Sequence, residues 1–171
     1  MEITFKLCSE KDLEQLIKVS RETFISSFEK DNDPKDFKNY ITHAFSKEVL
    51  LEQLRDKGSD FYFVHNQKNL LGYFKINEFG AQSELKESNG LELERIYVIE
   101  RYQGSKIGLK ILEKVFALAK QKSKTYIWLG VWEQNERAIK WYQKHKFKKF
   151  GTHPYLIGND EQTDWLMRKE L

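Results

Sequence analysis

Leu91-Glu-Leu-Glu-Arg-Ile-Tyr-Val-Ile99, running on into Glu100-Arg-Tyr-Gln-Gly-Ser-Lys-Ile-Gly-Leu-Lys-Ile-Leu112, is the stretch that decides the fold. Its first part reads as a strand over Leu91–Ile99. Strict alternation puts Leu91, Leu93, Arg95 and Tyr97 on one face and Glu92, Glu94, Ile96 and Val98 on the other. A glycine-bearing loop follows, and then Ile107, Ile111, Leu112, Val115, Phe116, Leu118 and Ala119 fall on one stripe of a helix. The first amides of such a helix have no internal partners, and the helix dipole adds partial positive charge there. Glycines let the backbone approach closely, so this junction suits an anion. Taken alone it is a weak signal, because a glycine turn before a helix is often only structural.

Outward from this stretch the pattern continues on both sides. Downstream, Tyr126–Trp132 is an apolar strand, Asn135–Lys144 an amphipathic helix with Ala138, Ile139, Trp141 and Tyr142, and Phe147–Thr152 and Thr163–Met167 are closing strands. Upstream, Phe61–His65 and Leu70–Phe79 read as a hairpin around Asn66-Gln67-Lys68-Asn69, and residues 80–90 as a loop. Before them come an N-terminal strand at Ile3–Leu7 and three helices. Ser9, Asp33-Pro34 and Ser46 supply the start signals of those helices, and Gly58 marks the last stop. The order is βααα, then βββ, then αβαββ. It combines a meander with a strand–helix–strand crossover, which predicts an α/β fold: a mixed sheet with helices on both faces.

The chain of 171 residues suits one domain spanning 1–171, with no linker, repeat or low-complexity stretch. The N-terminus lacks the basic start and apolar run of a signal peptide, and no window resembles a membrane span. Cys8 is the single cysteine, which excludes an internal disulfide and fits a reducing, cytoplasmic setting; it reads as a small core residue. A net charge of +3 decides no partner, but its distribution is uneven. The charged residues of 101–149 are mostly basic, while Glu78, Glu84, Glu87, Glu92 and Glu94 face a single Lys86 between 78 and 94. The first suits a polyanionic ligand and the second a cationic one, or both are solvated faces. His43, His65, His145 and His153 lack metal-ligand spacing, so no metal is expected. The lysines of 101–149 alternate with helix core positions, which argues against a nucleic-acid partner.

The central stretch resembles the GNAT superfamily of acetyl-CoA-dependent acetyltransferases. Gln103, Gly104, Ser105, Lys106, Ile107 and Gly108 occupy the places of the Gln/Arg-x-x-Gly-x-Gly/Ala pyrophosphate loop, with Lys106 where the family usually has glycine. Asn135, Ala138, Tyr142 and Phe147 match the family's Asn-x-x-Ala-x-x-x-Tyr-x-x-x-Gly-Phe segment, with Lys146 replacing glycine. Leu93–Tyr97, Ile127–Glu133, the opening Cys8–Leu13 and the tail with Gly158 and Asp160–Asp164 are similar to PaiA-type spermine/spermidine N-acetyltransferases. The resemblance covers nearly the whole chain.

The resemblance implies a mostly antiparallel sheet of about seven strands and direct transfer of acetyl from acetyl-CoA to an amine. It implies that the amides from Gln103 to Gly108 hold the pyrophosphate, with Lys110, and Lys106 if its bulk permits, adding charge. Ile96, Tyr97 and Val98 would present strand backbone to the pantetheine, and Asn135 would hydrogen-bond the same arm. A free amine near pKa 10 is protonated at pH 7, so a base is required. Glu94 and Glu92 are the candidates from the resemblance, and Tyr142 is the candidate proton donor to the leaving thiolate. The acceptor it implies is a polyamine, with another small amine, a peptide N-terminus or lysine, or a non-catalytic CoA-binding role as alternatives. A homodimer is compatible with it, and Trp132 lies where the acceptor site would border the strand.

Overall fold

The computed structural model describes residues 2–67 and 69–171. Strands β1 (Thr4–Leu7), β2 (Ser59–Asn66), β3 (Asn69–Asn77), β4 (Gly90–Val98), β5 (Tyr126–Trp132), β6 (Lys148–Ile157) and β7 (Asp160–Glu170) form a seven-stranded sheet in the order β1-β2-β3-β4-β5-β7-β6. Every pairing is antiparallel except β4 with β5. Helices α1 (Leu13–Phe28), α2 (Pro34–Ala44) and α3 (Lys47–Arg55) precede β2; α4 (Ile107–Gln121) joins β4 to β5, and α5 (Glu136–Lys144) follows β5. The mixed α/β architecture and the element order are those read from the sequence. Lys68 of the expected hairpin turn lies outside the described residues.

Local chemistry explains the boundaries. The Asp33 carboxylate accepts the amides of Lys35 and Asp36 at 2.9 and 3.0 Å, with Pro34 at the first helical position, so α2 begins there. Ser46 Oγ accepts the Val49 amide and starts α3. The closing strands β6 and β7 are longer than the apolar runs Phe147–Thr152 and Thr163–Met167 suggest. Their hairpin extends through His153–Ile157 and Asp160–Gln162, turning at Gly158 with φ +62°. Pro154 is accommodated because β6 is an edge strand.

Two apolar cores sandwich the sheet. On one face α1, α2 and α3 pack Leu16, Phe24, Phe37 and Leu50 onto Phe61, Phe63 and Tyr73. On the other, α4 and α5 pack Ile111, Leu112, Val115 and Ile139 onto Phe74, Leu91, Leu93, Ile127 and Leu129. A single fully buried leucine or phenylalanine contributes about 1.5–3 kcal/mol, so these layers dominate the stability.

The structure corrects the expected face assignment of β4. Ile76 pairs with Leu93 and Lys75 with Arg95, so Glu94 is an extra residue, a β-bulge. One inserted residue reverses the alternation beyond it. Leu91 and Leu93 therefore share the α4 face with Ile96 and Val98, while Tyr97 packs into the α1–α3 core and Arg95 lies over Phe45 and Phe61. A bulge leaves no mark in an apolar/polar pattern read with period two, and for that reason the sequence put Ile96 and Val98 with the glutamates.

Candidate active site

β4 and β5 pair only at Gly90–Glu92 against Tyr126–Trp128. Beyond that point β4 stays with β3 and β5 with β7, so the parallel strands splay and one edge of β4 is left without a strand partner. A cleft of about 270 Å³ fills the gap. It lies at the carboxyl ends of the two parallel strands, where open α/β sheets place their ligands, and both α4 and α5 begin beside it. One wall carries Glu94, Ile96, Tyr97 and Val98; the other carries Gly130, Trp132, Gln162 and Asp164; Asn135 and Tyr142 come from α5 and its start.

The loop before α4 is built to offer amides. Gln103 is already committed: its amide donates to the Glu100 carbonyl at 3.0 Å, and its Nε2 donates to the Val98 carbonyl at 3.2 Å. From Gly104 to Leu109 no backbone N–H donates to a backbone carbonyl among the described residues, and the first such bond is Lys110 to Lys106 at 3.2 Å. Of the amides expected from Gln103 to Gly108, that of Gln103 is spent within the loop. Gly104 has φ +79° and Lys106 φ +61°, so a lysine holds a left-handed turn that glycine adopts at lower cost. Lys146 does the same after α5 with φ +69°, and the Phe147 amide donates to the Tyr142 carbonyl at 3.0 Å to close that helix. Both lysines that depart from the family pattern thus keep the backbone conformation that glycine would give. The Ser105, Lys106 and Lys110 side chains are exposed around the cradle, while Ile107 anchors it in the core.

Asn135 divides its side-chain amide between two tasks. Its Oδ1 accepts the Ala138 amide at 3.1 Å and caps α5, which leaves Nδ2 as a donor at the cleft. Tyr142 is 7% exposed, and its ring packs edge-on against Trp141 and Phe147. Burial raises its phenol well above the ordinary value, so it keeps its proton at any physiological pH.

The two sequence candidates for the base are less suited to that role. Glu92 is 2% exposed and does not line the cleft; it accepts from Ser83 N at 2.9 Å, from Ser83 Oγ and from Asn77 Nδ2 at 2.9 Å. Burial and then Glu94 raise its carboxyl, yet its oxygens are occupied in holding the 80–90 loop. Glu94 does line the cleft, at the bulge. Lys75 Nζ lies 2.5 Å and Arg95 Nε 3.2 Å from its oxygens, and Asn77 Nδ2 donates at 2.5 Å. Burial alone would push its carboxyl up, but Arg95 and Lys75 outweigh that and hold it at about 2. Such a carboxylate is a weak proton acceptor at pH 7.

The acidic run at 78–94 proves to be internal wiring. Glu78 pairs with Lys122 and Lys124 at 2.5 and 2.9 Å, Glu84 with His153, and Glu87 accepts from Tyr126. Free acidity lies elsewhere, in a groove at the mouth of the cleft formed by Asp31, Glu133, Asp160 and Glu161, which shares Trp132 and Gln162 with the cleft itself.

One carboxylate of the cleft escaped the sequence reading. Asp164 lines the wall of β7, and neither a hydrogen bond nor an ion pair reaches its carboxylate among the described residues. Burial pushes it up to about 6; His153 opposes this and Glu133 adds to it. An aspartate inside a strand, between Thr163 and Trp165, was the available signal, since carboxylates are depleted there. Cys8 is inert by contrast, its thiol pushed up to about 12 by burial. Among the described residues no cluster suits a metal and no helix is long and apolar enough to cross a membrane.

A splayed parallel pair, a strand edge that β5 leaves open and a run of unused amides at a helix start meet at this cleft, an arrangement suited to an anionic ligand. The sequence model described as the acetyltransferase (GNAT) family matches residues 14–147. An uncharacterized N-acetyltransferase of Lactobacillus delbrueckii subsp. lactis is 38% identical over 163 residues, covering 95% of this chain and 94% of that one. The spermidine N(1)-acetyltransferase of Thermoplasma acidophilum is 29% identical, covering 99% and 98%. The crystal structure of the PaiA N-acetyltransferase from Thermoplasma acidophilum in complex with coenzyme A superposes with a TM-score of 0.79 at 24% identity, covering 100% of both chains, a likeness of fold. The chain belongs to the GNAT acetyltransferase family. It is an N-acetyltransferase, and its acetyl donor is acetyl-CoA.

Proposed function

We propose that this chain, as a single domain over residues 1–171, transfers acetyl from acetyl-CoA to a primary amine of a polyamine such as spermidine. The observation that carries the polyamine assignment is the acidic groove of Asp31, Glu133, Asp160 and Glu161 opening into the cleft beside Trp132. A long polycation matches it: one amine reaches the cleft while the others stay against carboxylates, which favours the charged substrate over a neutral one. Relatives named as spermidine or spermine/spermidine acetyltransferases, at 29% and 28% identity, support the same reading.

In this reading the amides of Gly104–Gly108 grip the diphosphate, with Lys106 and Lys110 adding charge outside it. The free edge of β4 at Ile96, Tyr97 and Val98 hydrogen-bonds the pantetheine arm, and Asn135 Nδ2 donates to it. The bound thioester supplies an activated acetyl group at the splay. Tyr142, kept protonated by burial, delivers a proton to the departing sulfur. Glu94, pinned by Lys75 and Arg95, sets the field of that wall and leaves the amine's proton to another group.

The test is release of CoA thiol from acetyl-CoA with spermidine, spermine, and panels of amino acids, peptides and aminoglycosides. Polyamines giving the highest kcat/KM supports the assignment. Turnover confined to another amine class rejects the polyamine, and tight CoA binding without turnover on any amine rejects catalysis in favour of a CoA-responsive module.

A further inference from the structure

The roles above leave the β7 wall of the cleft without a chemical task, although it holds a carboxylate with no partner among the described residues. We infer that Asp164 is the proton acceptor for the incoming amine, an inference that rests on the amine-acetylation reading and supplies its missing first step.

The placement is specific. Asp164 sits opposite Trp132 of β5 and His153 of β6 in the sheet register, with its side chain turned into the cleft. Its Oδ2 lies 3.3 Å from where a Cβ on Gly130 would be, so a side chain at 130 would crowd the carboxylate and glycine leaves room for it. Asp164 and Tyr142 line the same cleft, so a carboxylate acceptor and a protonated phenol face one space. The acidic groove leads to this wall through Gln162 and Trp132. A cation entering along the groove therefore meets Asp164 as the first unpaired carboxylate inside.

The competing carboxylates are each held by neighbours. Glu94 is saturated by Lys75, Arg95 and Asn77, and Glu92 by Ser83 and Asn77. The groups facing Asp164 are His153 of β6, itself bound to Glu84 at 2.5 Å, Glu133 after β5, and Tyr40 of α2. None of these donates to it among the described residues. Its carboxyl, raised to about 6, is ionised at pH 7 yet far more basic than one held at about 2.

The step balances without another reactant. The ammonium N–H bond breaks, its pair stays on nitrogen as the attacking lone pair, and the proton forms an O–H bond on Asp164. As the new C–N bond forms and the C–S bond breaks, nitrogen loses its second surplus proton. One proton ends on sulfur by way of Tyr142, and the other leaves Asp164 for water. The products are an acetamide, a thiol and a released proton.

The experiment compares wild type, Asp164→Asn and Asp164→Glu on the best amine of the panel, recording kcat/KM against pH together with calorimetric acetyl-CoA affinity. The expected wild-type profile falls on the acid side near pH 6. Asp164→Asn is expected to lower kcat/KM about 100-fold and abolish that limb, with acetyl-CoA affinity unchanged, and Asp164→Glu to restore an acid limb at a shifted pH. An unaltered limb and near-normal rate in Asp164→Asn overturn the inference. If the wild type acetylates no amine, the acetylation reading fails on its own, and Asp164 is then judged by carboxyl NMR of labelled protein. A resonance lost in Asp164→Asn that titrates near 6 and moves down on adding spermidine supports it as an amine contact. One titrating near the ordinary value, indifferent to spermidine, overturns it.

Discussion

The two walls of the cleft treat a carboxylate in opposite ways. On β4, Glu94 sits at a bulge between two buried cations and an amide, held at about 2. On β7, Asp164 is largely buried, has no hydrogen-bond or ion-pair partner among the described residues, and is raised to about 6. Both reach the same cleft. Glu94 and its cations sit at the bulge, where the strand edge becomes free, whereas burial is the largest influence on the charge state of Asp164. A carboxylate's usefulness as a base thus follows from what fails to touch it, more than from its position on a strand.

The contrast can be undone from either wall. Glu94→Gln strips the compensation from Lys75, whose side chain is 5% exposed, and from Arg95. The expected loss is about 3 kcal/mol in urea unfolding, because unpaired buried charge remains; a loss near zero would mean that the pairing is idle. Tyr142→Phe, where the walls meet, is expected to lower kcat about 100-fold with acetyl-CoA affinity retained, as read by steady-state kinetics and calorimetry.

Stability against pH separates the walls more finely. Asp164 has a folded-state value above its ordinary 3.8, so the folded form binds the proton more tightly and the residue destabilises progressively as pH rises from about 4 to 6. Asp164→Asn is therefore expected to be more stable than wild type at pH 8 by about 1 kcal/mol, discounted for partial exposure, with the gain vanishing near pH 4. Glu94 has the opposite sign: its value lies below the ordinary 4.5, so its contribution is present above that pH and is lost as pH falls toward 2. Smallest is Lys146→Gly, which relieves a φ of +69°. About 0.5 kcal/mol of stabilisation is expected, since glycine's unfolded-state entropy offsets part of the relief, and thermal melts measure it.

The sequence carried most of the architecture because long apolar periodicities do not depend on distant contacts. Tyr126–Trp132 and the helix from Ile107 needed only their own spacing, and the loop before that helix was legible from glycine and strand context together. The bulge at Glu94 was invisible because its cause is pairing with Lys75 and Ile76 on another strand. The same holds for the acidic run at 78–94, whose partners Lys122, Lys124 and Tyr126 are distant in sequence. Asp164 was hidden for a related reason: it lies inside the expected strand, but whether an aspartate there is paired is a question about neighbours.

Where the cosubstrate sits underlies every role assigned to the cleft, and amide NMR of labelled protein titrated with CoA reads it out residue by residue. Gly104–Leu109 and the Asn135 side chain should shift first and most, while Asp164 and Gln162 should respond only when an amine is added. Shifts confined to another surface, or none at saturating CoA, would refute the cradle and the roles built on it.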